Sequence, residues 1–405
     1  QLTVEQNIVK NALAFQTNDT FPFLDEIAET KSVIILGEET HQDISTSETK
    51  VNMINYLKKK GYHSVALEMV PFLTSYVFSN PEYKDITKNW NVKFIFPPLW
   101  FWQESCKPLF DMIINQDIRL WGMDIHLGVY DIESAKAILA KYADKEDIDL
   151  DWWTLTNLYL RKFVYIGNPN NKATSVSEQF KLMRMIDKLA DYVQYLIYKQ
   201  GSTDDLKAIM QWIQILNTAF SFVDRETPTQ ENETALINTL MYRNRDKQMA
   251  ENILWITENF PDQKFTVWCA NFHAMKDISQ THNPIDSLRY FTFQSMGEGI
   301  YNKLGNKLYS LAITSLNNEE VDRYNGEKGH LEQEIEKAIH GKPFAYINFE
   351  PLRFESGYRD KSFNCTIHTE KGKWLYIFDG LYYIRDQSNG TVIRDQSNNI
   401  IEIRK

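Results

Sequence analysis

Cysteine is scarce. Cys106, Cys269 and Cys365 lie far apart, with no CxxC pair among them, which excludes a disulfide scaffold and a zinc knuckle. No stretch approaches the ~18–20 apolar residues that a membrane-spanning helix needs, so no membrane span is expected. Positive charge is in deficit, with 44 Lys and Arg against 54 Asp and Glu for a net charge of −10. That argues against a nucleic-acid partner, because binding phosphates takes clustered cations. Common catalytic signatures are missing as well: there is no G-x-S-x-G elbow, no HExxH and no local cysteine–histidine signature. Neither a P-loop nor G-x-G-x-x-G occurs, so no nucleotide cofactor is expected. The chain opens on Gln1, not Met, which leaves a removed leader, and with it a secreted or periplasmic location, open beside a cytoplasmic one.

What is present describes a globular protein. Hydrophobic residues at 43% and charged residues at 24% allow a full core. A length of 405 residues fits either several domains or one large α/β domain with an inserted helical part. Short apolar runs at 33–36, 65–68, 118–122, 265–268, 308–314, 344–348 and 374–378 read as buried strands. Between the first two, Ser45 and Glu48 have capping-box spacing. Val51, Ile54 and Leu57 follow at helical intervals before the lysines at 58–60 and Gly61. Strand, helix, strand in so short a span is a βαβ unit and implies a parallel sheet.

The middle of the chain changes character. Phe180, Met183, Ile186, Leu189, Val193 and Leu196 form a helical stripe introduced by Ser175-x-x-Glu178, after a loop-like join at 167–175. Helical patterns continue over ~203–223 and ~231–260, where Pro261 ends the last. "IRDQSN" occurs at 384–389 and again at 393–398, a pair that reads as a short hairpin. The expected fold is α/β, a mixed, largely parallel sheet flanked by helices with an inserted helical subdomain. Its expected division is a first half of the core over 1–150, a helical insertion over 151–262, and a second half with a C-terminal hairpin over 263–405.

In open α/β sheets, ligands bind beyond the carboxyl ends of the parallel strands. The first strand runs into Glu38, Glu39 and His41, and the second ends in Glu68. The third reaches Asp124 and His126; the fourth reaches Cys269, Asn271 and His273. Each has a plainer alternative. Glu38 and Glu39 could be solvated at a loop start, His41 or Asp124 could cap a helix, and His126 reads better as a packing residue. Glu68 is harder to set aside, since a carboxylate in a central strand is costly unless paired. Arg245 falls four residues from both Met241 and Met249 on one helical face, so it either meets an anionic partner or snorkels to solvent. An imidazole near several carboxylates suits general-base activation of water.

"GEETH" (37–41), a capped helix, and then "GYHSVALE" (61–68) resemble the erythromycin esterase family, whose hallmark is G-E-x-T-H with a later strand ending in Glu. "RDKQMAENILWI", "VWCANFHAM", "MGEGI" and "FDGLYYI" are similar to that family's later blocks in order and spacing. The resemblance implies a mixed α/β core with a helical portion, and hydrolysis of a macrolide lactone by histidine-activated water without a required metal. By matching position, His41 would be the general base, with Glu38 and Glu68 as its carboxylate partners. His273 would fall on the second histidine of the family's Trp-x-His-Asn-x-His block. Ala270 replaces the first histidine of that block, and Lys50 stands at the family's arginine, keeping the charge without the planar fork. The expected substrate is a small molecule, bulky and apolar, with His273, Arg245, Lys50 and Asp124 as its binding residues.

Two further readings stand beside this one. Glu38, His41, Glu68 and His273 offer ligands for a divalent ion in a metal-dependent hydrolase. Changes such as Ala270 would instead suit a binding protein that has lost its chemistry. The run "WNVKFIFPPLWFWQ" (90–103) reads as a loop, because Pro97-Pro98 opposes a regular element. Its rings either pack against the helical insertion or line the wall of a cleft.

Overall fold

The computed structural model describes residues 2–41, 43–142, 176–221, 231–282, 294–315, 330–355, 357–358, 361–365, 371–386, 391–394 and 400–404. The join at 167–175, including Ser175, lies outside the described residues. The sheet strands are β1 (Leu13–Phe15), β2 (Val33–Leu36), β3 (Tyr62–Pro71), β4 (Arg119–Asp124), β5 (Lys264–Trp268), β6 (Leu308–Thr314), β7 (Phe344–Asn348) and β8 (Gly380–Ile384). They form one eight-stranded sheet in the order β1-β7-β8-β6-β2-β5-β3-β4. The pairs β8–β6, β6–β2, β2–β5 and β5–β3 are parallel, whereas β1–β7 and β7–β8 are antiparallel. The architecture is the expected α/β fold, mixed, largely parallel and flanked by helices. A separate antiparallel pair joins β9 (Thr391–Arg394) to β10 (Ile400–Arg404) in the region of the twin "IRDQSN" copies, which themselves lie partly outside the described residues.

The chain gathers into two compact units, one of Gln1–Leu67, Pro97–Arg119 and Asp262–Lys405, the other of Glu68–Phe96 and Leu120–Pro261. In the first unit, all four residues of β2 are fully buried, as a strand covered on both faces requires. Helix α1 (Ile44–Lys58) carries the chain from β2 to β3 and buries Val51, Met53, Ile54 and Leu57. Its cap is Asp43, not Ser45: the Asp43 carboxylate accepts the amides of Ser45 and Thr46, both at 3.0 Å. An aspartate one residue before the first turn is in the N-cap position, which leaves Ser45 inside the helix. Gly61, at φ +92°, occupies the left-handed turn that lets the chain re-enter β3.

Two further expectations are corrected in this unit. The run 374–378 is not a strand. Trp374–Ile377 is a single helical turn closed by the Phe378 amide on the Trp374 carbonyl, and the strand follows as β8. A short buried apolar run carries no periodicity that separates helix from strand. Nor does Pro97-Pro98 prevent a helix, since Pro98–Phe101 forms one turn closed on the Pro97 carbonyl. Proline is tolerated there because first-turn amides have no helical acceptor.

In the second unit, α2 (Val176–Gln200), α3 (Asp204–Ser221) and α4 (Glu231–Asn259) follow one another with no strand between them among the described residues, and each packs on the next. Helix α2 buries Leu182, Met185, Ile186, Leu189, Val193 and Leu196, while Phe180 and Met183 are exposed. The buried stripe thus begins at Leu182, four residues before Ile186 on the same face. Asp205 at the start of α3 accepts from the hydroxyls of Tyr76, Tyr83 and Tyr142 and from Lys141, all within 3.0 Å.

Candidate active site

The loop after β2 holds the first group of candidate residues. Gly37 is needed for a close approach: a Cβ there would lie 2.0 Å from Asn271 Oδ1. Asn271 opens the single turn α5 (Asn271–Ala274) after β5, and its amide donates to the Glu38 carbonyl at 2.7 Å. Its side chain also donates to the Ile313 carbonyl at 2.8 Å and accepts from the Ile313 amide, so one residue ties together the ends of β2, β5 and β6.

Glu38 is buried, with its side chain 1% exposed. Oε1 lies 2.5 Å from His41 Nδ1, while Oε2 accepts from Lys50 Nζ at 2.8 Å and from Trp268 Nε1 at 2.9 Å. Lys50 projects from α1, is fully buried, and also donates to the Cys269 carbonyl at 3.1 Å. Its ammonium lies 4.7 Å from the centre of the Trp268 ring. A buried carboxylate is thereby met by a cation, an indole N–H and an imidazole, which satisfies the pairing that burial demands. His41 remains 29% exposed at its side chain, so the ring spans from the buried carboxylate to solvent. An acceptor at Nδ1 fixes the tautomer, with Nδ1 protonated and the basic lone pair on Nε2. Glu39 has a different partner, Thr314, whose hydroxyl lies 2.7 Å from Glu39 Oε1 and 2.8 Å from Glu332 Oε1. His273 is buried on α5 in the same unit.

The second unit gathers another group. Arg245 on α4 reaches Glu68 Oε1 through Nη2 at 2.7 Å, and Asp124 through Nε at 2.9 Å and Nη2 at 2.6 Å. Of the two readings of Arg245, the anionic-partner one describes this geometry, and its side chain is only 16% exposed. Asp124 also accepts from the amides of Met69 and Ile125, at 3.0 and 2.7 Å. Met69, directly after Glu68, has φ +62°, a left-handed conformation that L side chains rarely adopt and that is found at strained functional positions. His126 Nδ1 lies 3.1 Å from Asp124 Oδ2, an ion-pair distance without hydrogen-bond alignment, so this histidine is not simply a packing residue. Burial alone would raise the Asp124 carboxyl, but Arg245 and His126 outweigh it and hold it well below the usual carboxylate range. Desolvation opposes charge on His126, yet Asp124 raises it above an ordinary histidine. The Arg245 guanidinium stays charged, its loss to burial exceeded by the two carboxylates.

Glu38, His41 and Lys50 thus come together in the first unit, and Glu68, Asp124 and Arg245 in the second. Trp268 and Gln103 of the first unit were not anticipated. Gln103 Nε2 donates to the His41 carbonyl at 3.1 Å, and no periodicity marks either residue. Among the described residues, no three His, Cys, Asp or Glu side chains converge as metal ligands would. A cavity of about 440 Å³ in the first unit is lined by Lys276, Asp277, Tyr301, Arg353, Phe354 and Tyr376, and includes no residue of the Glu38–His41 group.

No protein-family model and no curated protein matches the sequence. Solved structures with a similar fold include a Bacillus cereus protein at 15% identity (TM-score 0.66, covering 95% of this chain and 97% of the other). A succinoglycan biosynthesis protein is similar at 14% identity (TM-score 0.65, covering 96% and 98%). A mutant of the erythromycin esterase EreC in its open conformation is similar at 14% identity (TM-score 0.65, covering 93% and 98%). At these identities the likeness is one of fold.

Proposed function

We propose that this protein is a hydrolase that cleaves an ester or lactone with water activated by His41. The observation that carries this reading is the 2.5 Å contact between His41 Nδ1 and Glu38 Oε1, with the other carboxylate oxygen anchored by Lys50 and Trp268. Anchored in this way, Glu38 orients the imidazole and stabilises the imidazolium that forms when Nε2 takes a proton from water. The neutral ring is the base; the water oxygen bonds to the ester carbonyl carbon, the acyl C–O bond breaks, and the imidazolium returns its proton to the departing alkoxide, so no covalent intermediate is required.

Lys50 and His273, in the same unit as His41, are proposed as residues that handle substrate. Ala270 and Lys50 depart from the macrolide-esterase pattern, so the proposed substrate is a bulky apolar ester or lactone, not erythromycin itself. The similarity of fold to EreC supports this reading. It is tested by a broad panel of ester and lactone substrates, comparing wild type with His41→Ala, with and without a chelator. The expected result is hydrolysis by wild type that survives chelation and is lost in His41→Ala. Equal rates in the two proteins would refute the role of His41, and loss of activity on chelation would refute the metal-free chemistry.

A further inference from the structure

The aromatic run at 97–103 contributes two further contacts to His41. One helical turn, closed on the Pro97 carbonyl, places Trp100 and Gln103, each 1% exposed, toward the loop after β2. The Trp100 ring meets the His41 ring edge-on, with centroids 5.4 Å apart and planes at 86°. The same Trp100 packs on Trp268 at 5.3 Å, and Trp268 donates to Glu38. Gln103 Nε2 donates to the His41 carbonyl, while its Oε1 lies 3.7 Å from the Cys106 thiol. Burial pushes the Cys106 thiol up to about 12, so it remains a donor. A donor on one side and an acceptor on the other fix which way the Gln103 amide points.

We propose that Gln103 and Trp100 are positioning residues for His41, setting the backbone and ring plane from which the imidazole faces water. This rests on the reading of His41 as the general base. Glu38 holds one ring nitrogen, Nδ1, and that hydrogen bond defines a direction but not a plane. The Gln103 amide fixes the residue's backbone, and the edge-on Trp100 ring limits the tilt. A base displaced by an ångström loses much of its effect even when every reacting group is present.

The test combines kinetics with a ring signal that does not depend on turnover. Gln103→Leu and Trp100→Leu are compared with wild type for kcat and KM on the best ester. The 15N spectrum of the His41 ring, assigned by its absence in His41→Ala, is recorded for each. The expected result is a fall in kcat of about tenfold or more with KM within about threefold, and His41 signals moved off the single-tautomer pattern. Trp100→Phe, which keeps a ring edge, should recover much of the loss. Gln103→Leu added to His41→Ala should cost nothing further, because residues acting through one group are not additive. Should Gln103→Leu fail to fold, the isosteric Gln103→Glu replaces the donor with an acceptor and reads the same contact. Folded Gln103 and Trp100 variants with unchanged kcat and unchanged His41 signals would overturn the proposal. If wild type hydrolyses no ester, the proposed activity falls, and the spectrum alone decides the positioning.

Discussion

Two buried carboxylate groups in this molecule are neutralised in opposite ways. In the first unit, Glu38 is shared among Lys50, Trp268 and His41, and the last of these extends to solvent. In the second unit, Arg245 bridges Glu68 and Asp124 with a cation that cannot give up its charge. The first arrangement leaves one partner able to exchange a proton, as a base requires. The second is held chiefly by that permanent cation, with His126 an ion-pair neighbour of Asp124 that is not hydrogen-bonded to it, and suits orientation or rigidity. Buried acids are therefore a poor guide to catalysis by themselves; what matters is whether a titratable partner that opens to water is also hydrogen-bonded to the acid, as His41 is to Glu38 and His126 is not to Asp124.

That contrast can be broken most severely at Arg245. Arg245→Leu strands two buried carboxylates and should lower stability by about 3–5 kcal/mol in urea unfolding. A loss below about 1 kcal/mol would mean that solvent already screens the pair. Lys50→Met should have a smaller effect, about 2–3 kcal/mol, because Glu38 keeps its bonds to Trp268 and His41. It should also reduce ester turnover, whereas a full loss of stability with turnover intact would separate Lys50 from the chemistry.

Acid pH sharpens the comparison further. The Asp124 carboxyl lies below its unfolded value, so its stabilisation is present above about pH 4 and is lost as pH falls through the folded value. Unfolding free energies of wild type and Asp124→Asn should converge as the pH drops below about 4. A constant gap would contradict the Arg245 pairing as its cause. The smallest expected effect is at His126, which is raised and partly exposed. Its contribution is complete below about pH 6.5 and fades as pH rises through the folded value, so His126→Gln should matter slightly at pH 6 and less at pH 9.

Much of this arrangement could be read before any coordinates. β2, β6 and β7 occupy the runs 33–36, 308–314 and 344–348, because strands buried on both faces leave unbroken apolar stretches. Glu38 and His41 are legible as a pair since only two residues of one loop lie between them. Trp268 and Gln103 are not, because their contacts depend on which strands and turns become neighbours. Trp374–Ile377 misled for a related reason: full burial hides the period that tells a turn of helix from a strand. Arg245 stood out as a charge on an apolar face, yet nothing in its helix reveals that Glu68 within β3 and Asp124 at the end of β4 await it.

The most direct test of the central claim is kcat/KM for the best ester in wild type and in His41→Ala, with folding checked by circular dichroism. The account predicts a loss of about 10²–10⁴-fold in a protein that remains folded. Values within twofold of each other would contradict it.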